Sequence, residues 1–206
     1  MKFSIWQGSG MTLLASCLLV SAQETSLVAV KKAFDKSHIP GNISLTFEPK
    51  VLLEVTFPQT VPQKPITLHA GVQLPRNATG GPPNFNIIGP IGHGPFVVAA
   101  VDLDAPTPQA PTSAQIRHFL GGNFFTGLNF KSLTPSLLRN ATPAISEFRQ
   151  PTPPAGSDPH RYFNDQTLVT PNTSVALFNI SQFASAVGLG QPIGGTFMLV
   201  GPPASA

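Results

Sequence analysis

Hydrophobic and polar positions change period along this chain, and each change marks an element. Over 26–37, Leu27, Val30 and Phe34 recur at helical spacing, while Lys31, Lys32 and Lys36 fall on other faces. This predicts an amphipathic helix capped by Thr25 or Ser26 and closed by Pro40-Gly41. A period of two follows. Residues 43–47 alternate as a half-buried strand, 48–50 turn, and 51–57 read as a mostly apolar second strand, antiparallel to the first. The run 96–101 is apolar, rich in β-formers and uncharged, which predicts a buried central strand. Further strands are expected over 116–120 and 196–200, with a short edge strand over 66–68. Residues 77–86 read as a surface loop, 131–139 as a turn of helix with Leu133, Leu137 and Leu138 inward, and 151–159 as a rigid proline loop. A short helix over 181–187 ends at Gly188.

Composition narrows this to one domain. A chain of 206 residues builds a proper core once. Its 23 prolines and 18 glycines cut it into short segments, which favours a β-rich, loop-rich fold over a helix bundle. Only about one residue in ten is charged, and the net charge of +3 is small. No basic cluster is interleaved with aromatics, so nucleic-acid binding has no support.

The N-terminus reads as a secretory signal over 1–22. Lys2 supplies a positive start, 11–20 an apolar core, and Val20-Ser21-Ala22 a cleavage site that leaves Gln23 first in a mature domain of 23–206. A membrane anchor is the alternative, but the apolar run is shorter than the roughly 20 residues a span needs. No other segment is long and apolar enough, so no transmembrane span is expected in the mature chain. Cleavage removes Cys17, leaving no disulfide, no thiol nucleophile and no Cys-ligated zinc. Five Asn-x-Ser/Thr sequons, at Asn42, Asn77, Asn140, Asn172 and Asn179, fit a glycosylated extracellular protein.

The candidate chemistry sits where the central strand ends. Asp102 and Asp104 lie two apart in an extended chain, so their carboxylates share a face, and Pro106 turns the chain away. His118 follows on the predicted return strand and His160 closes the proline loop. A carboxylate beside an imidazole favours the protonated ring. Such a ring, with backbone N–H groups, receives a phosphate or carboxylate oxygen. The acid pair, in turn, suits an ammonium group. These residues fit a small pocket for a zwitterionic or phosphorylated head group. A plainer reading pairs Asp102 or Asp104 with Arg117 or Arg161 to fix loop ends. A third makes two Asp and two His a metal site, as in a metal-assisted hydrolase, although no His-x-x-x-His or Cys pair supports it. There is no Gly-x-Ser-x-Gly elbow, and the two acids are too close to flank a glycosidic bond, so no enzyme activity, catalytic residue or cofactor is assigned.

Three motifs in order, Asp102-Leu-Asp-Ala-Pro-Thr107, Arg117-His-Phe-Leu120 and Pro153-Pro-Ala-Gly-Ser-Asp-Pro-His-Arg-Tyr162, resemble those of the phosphatidylethanolamine-binding protein family, most closely its secreted fungal members. The resemblance runs from about Ala33 to Pro202. It implies a mainly β (α+β) single domain: a large central antiparallel sheet, a smaller sheet packed on it and a few peripheral helices. It also implies an anion pocket for phosphate-bearing (phospholipid) head groups, with Asp102, Asp104, His118 and His160 at pocket positions and Pro153 in the covering loop. The family includes inhibitors of serine peptidases and regulators of kinases, so a serine peptidase or a signalling protein is the implied protein partner. The chain departs from the pattern at Leu103, where the family has Pro, and at Gln150-Pro151-Thr152, where it has Gly-x-Gly. After Tyr162 the polar run Phe163-Asn-Asp-Gln166 replaces an apolar core strand. Either neighbours fill that place or the chain is an internally shortened form with impaired stability; the second is expected, because that strand should lie beside the core.

Overall fold

The computed structural model describes residues 25–127, 134–153, 172–201 and the backbone of 160–163. The expected signal segment, residues 154–159 of the proline loop, Leu133 and the run after Phe163 lie outside the described residues.

Helix α1 spans Leu27–Lys36, and Ser26 Oγ accepts the Ala29 N–H at 3.2 Å, the predicted cap. Val30 and Phe34 are its buried stripe. Pro40 and Gly41 do not end the unit; they sit inside a second short helix, α2, Ile39–Ile43. The strand expected over 43–47 is absent, because Ser44 takes a left-handed φ of 54° and 45–49 run irregularly. Phe47 is nonetheless buried, stacked on Phe34 with ring centroids 4.1 Å apart.

The strands are β1 (Leu52–Phe57), β2 (Ile66–Thr67), β3 (Val72–Pro75), β4 (Asn84–Ile88), β5 (Phe96–Asp102), β6 (Ile116–Phe125), β7 (Ser136–Leu137), β8 (Arg139–Asn140), β9 (His160–Phe163) and β10 (Met198–Gly201). Helix α3, Ile180–Ala186, lies between β9 and β10 in sequence. Two expectations are corrected here. The predicted loop over 77–86 begins as a 3-10 turn, Arg76–Thr79, and ends as strand β4. The described part of 131–139 is not helical; it supplies β7 and the start of β8, with Leu138 buried and Leu137 exposed, as alternation requires.

Two sheets result. The smaller has order β2-β1-β4-β7, so β1 pairs with β2 and β4 and not with 43–47. The larger has order β3-β10-β9-β5-β6-β8 and is antiparallel except for the β3–β10 pair. Its two faces bury different clusters. Val98, Phe119, Phe124, Met198 and Val200 meet Val51, Leu53, Val55, Phe57, Phe85 and Ile87 between the sheets. Ala99, Val101 and Leu120 meet Val30, Phe34 and Ile39 of the first helices and Ile180 and Phe183 of α3. Neighbouring residues of β5 thus go to opposite cores, as a pleated strand dictates. Among the described residues no helix is long and apolar enough to cross a membrane.

The place beside β5 is occupied at one end. β9 inserts between β5 and β10, with Tyr162 opposite both Asp102 and Met198. The register with β5 covers Val101 and Asp102 only, and the stretch that would continue it past Phe163 lies outside the described residues.

Candidate functional site

Strand order β9-β5-β6 gathers the sequence motifs at one end of the large sheet. β5 ends at Asp102, opposite Ile116 at the start of β6 and Tyr162 of β9. His160 opens β9, two residues before that register point and opposite Val200 of β10. Its side chain lies outside the described residues, as does that of Arg161.

Asp102 and Asp104 are 2% and 1% exposed. Carboxylates so deep need polar company. The Asp104 N–H supplies some of it, donating to Asp102 Oδ1 at 2.8 Å and closing a tight turn just past the strand. The chain then bends away through 103–106. His118 is also buried. Its Nδ1 donates to the Arg149 carbonyl at 2.8 Å, and the Arg149 N–H donates back to the His118 carbonyl at 2.8 Å. A carbonyl only accepts, so Nδ1 carries a proton.

A bulge decides which way these side chains go. Ala100 faces Phe119 and Val101 faces Arg117, so His118 is the extra residue on β6. Without it Arg117 and Phe119 would share a face. With it, Arg117 turns to the helical side, where its guanidinium lies 5.4 Å from the Phe178 ring, while Phe119 joins the inter-sheet core. Arg117 therefore pairs with neither Asp102 nor Asp104. It bonds Ser146 Oγ, the Ser174 carbonyl and the Thr173 carbonyl, and the plainer reading of an Asp–Arg loop tie fails for this arginine.

His118 lines a recess of about 40 Å³ between the sheets, with Ala100, Phe148, Pro151, Thr196 and Met198. Thr196 Oγ1 is buried there without a hydrogen-bond partner among the described residues. The volume suits a few water-sized groups and is smaller than a phospholipid head group. Pro153, two residues beyond Pro151, is also buried. Among the described residues no cluster of His, Asp and Glu has the makings of a metal centre. Sequence reasoning missed Thr196 and the Arg149 carbonyl. Thr196 opens a segment expected only as a strand, 196–200, which by itself gives no sign of a site; a backbone acceptor leaves no trace in a sequence.

All five sequon asparagines are exposed. Asn179 Oδ1 also caps α3, accepting the Gln182 N–H at 2.9 Å.

The architecture is shared with known proteins. A carboxypeptidase Y inhibitor, solved in complex with its cognate proteinase, superposes with a TM-score of 0.70 at 19% identity, covering 85% of this chain and 96% of that one. A phosphatidylethanolamine-binding protein from Plasmodium vivax gives 0.56 at 12% identity over 82% of this chain and 95% of that one. One from Plasmodium falciparum gives 0.55 at 16% identity, covering 82% and 96%. No curated protein sequence matches the chain. The model of the phosphatidylethanolamine-binding protein family matches residues 61–197, which include β2 to β9, α3 and both buried acids with their histidines, and the chain belongs to that family.

Proposed function

We propose that this is a secreted, glycosylated binding protein without catalytic activity, whose sheet end receives a phosphate-type head group. The observation that carries this reading is the strand order: it sets the buried Asp102 at the end of β5, with the buried Asp104 just past it, beside the strand that carries the buried His118, and His160 opens the strand on the other side. Imidazolium N–H groups, Nε2–H in the case of His118, meet the phosphate oxygens, and the carboxylates suit the ammonium of a zwitterion. Titration of the mature chain with inorganic phosphate and with phosphoethanolamine tests it. Asp102→Asn, His118→Gln and His160→Ala each weaken binding about tenfold or more, since a charged hydrogen bond is worth about 1.5–3 kcal/mol. Equal affinity in folded wild type and variants removes the pocket. Secretion is tested by the N-terminus of the exported protein, expected at Gln23.

A second reading, inhibition of a serine peptidase through the surface, is favoured by the likeness to the carboxypeptidase Y inhibitor. Its mark is inhibition of a serine carboxypeptidase that survives all three substitutions. Loss of inhibition together with head-group binding would assign both to one site.

A further inference from the structure

Arg117 is the largest of the fully buried side chains, 1% exposed, and among the described residues no carboxylate pairs with it. Its three bonds go to neutral oxygens: Nε to Ser146 Oγ at 2.7 Å, Nη1 to the Ser174 carbonyl at 3.3 Å and Nη2 to the Thr173 carbonyl at 3.1 Å. Burial, and secondarily the charge of Arg149, lower its pKa below the ordinary arginine value. A guanidinium carries five N–H donors, so one remains on each terminal nitrogen. That pair matches both oxygens of a carboxylate.

Arg117 also lines an open groove of about 400 Å³ between 173–178 and α3, walled by Ser174, Leu177, Phe178, Gln182 and Ala186. No wall residue is acidic. Leu177 is held at the rim 69% exposed, with a left-handed φ of 60°, so an apolar surface stands beside the buried cation.

We propose that this groove is a second anion site, which takes a carboxylate carrying an apolar body, as at the C-terminus of a peptide ending in an aliphatic residue. The carboxylate lies on Arg117 and the aliphatic part against Leu177 and Phe178. A phosphate offers more oxygens than two remaining N–H groups satisfy, so the groove selects the planar anion. The site lies on the opposite face of β6 from the His118 recess and does not depend on the head-group reading.

The test is calorimetric titration of the mature chain with N-acetyl-leucine, N-acetyl-leucinamide and inorganic phosphate. Saturable binding of the acid, with the amide and phosphate at least about tenfold weaker, is expected. Gln182→Glu weakens the acid about two- to fivefold and Gln182→Lys strengthens it by a similar factor; both changes are on an exposed side chain that leaves the Arg117 bonds intact. Arg117→Gln, checked for folding by circular dichroism, abolishes binding. An acetylated Ala-Ala-Leu acid binding more tightly than N-acetyl-leucine identifies a peptide end; equal affinity identifies a small apolar acid. Equal binding of acid and amide, or indifference of the acid to the charge at position 182, overturns the proposal.

Discussion

The two faces of the large sheet solve different problems. On the helical face α1, α2 and α3 close over Ala99, Val101 and Leu120, and aromatic rings interlock: Phe34 stacks on Phe47 and meets Phe197 edge-on at 5.2 Å. The inter-sheet face is looser. It keeps the recess beside His118 and, at the other end, a groove of about 190 Å³ lined by Leu53, Ile87, Val98 and Ile193. Space lined by apolar side chains forfeits dispersion contacts. On the helical face the space lies in the groove beside Arg117, away from these rings, so the sealed part that holds the fold is separate from the parts open to ligands.

Truncation on the two faces tests this most strongly. Phe34→Ala removes a fully buried ring from the sealed face and costs about 3–5 kcal/mol in denaturant unfolding. Leu53→Ala enlarges a groove that already exists and costs about 2–3 kcal/mol, the low end for a buried leucine. Equal losses would mean that both faces carry the fold alike.

Much of the sealed face was legible in sequence. The 3.6-residue stripe and the Ser26 cap marked α1, and the uncharged run of β5 marked the sheet centre. The 43–47 segment misled because Ile43, Leu45 and Phe47 alternate as a strand does. The structure uses Ile43 as the end of a helix and Phe47 as a stacking partner for α1, so tertiary packing overrides the period. β3 left little signal: Val72-Gln-Leu-Pro75 is short, contains proline, and becomes a strand through its parallel register with β10. Around the candidate site, the placing of Asp102 and Asp104 at the mouth of β5 was legible, because acids at the end of an apolar strand need a reason. The direction of Arg117 was not, since a single bulge between Ala100 and Val101 decides it.

A smaller effect is expected where the helical face is fastened. Asn179 accepts from the Gln182 N–H and from Ser181 Oγ, both at 2.9 Å, and so fixes the start of a helix that buries Ile180, Phe183 and Ala184. Asn179→Ala costs about 1 kcal/mol, while Asn179→Asp keeps the acceptor and most of the stability. Hydrogen exchange at the α3 amides should rise in the alanine variant and not in the aspartate. Faster exchange between the sheets instead would show that the faces are coupled rather than separate.

The smallest effect belongs to the rim of the same face. Lys31 reaches Glu48 at 3.0 Å and Asp35 at 3.3 Å, tying α1 to the irregular 45–49 segment. Its pKa is raised above the ordinary lysine value, first by the hydrogen bond to Glu48 and then by that to Asp35. A base whose folded pKa is raised stabilises the fold fully below the unfolded value, and loses that contribution as pH climbs through the folded one. Wild type should therefore lose its small advantage over Lys31→Met as pH climbs above the ordinary lysine value, and lose it at neutral pH in molar salt, because the pair is solvent-exposed and screened. Paired melting curves read the difference. A gap that persisted at high pH and high salt would assign the role of Lys31 to the packing of its aliphatic stem against the 45–49 segment, and would extend the sealed face outward by one side chain.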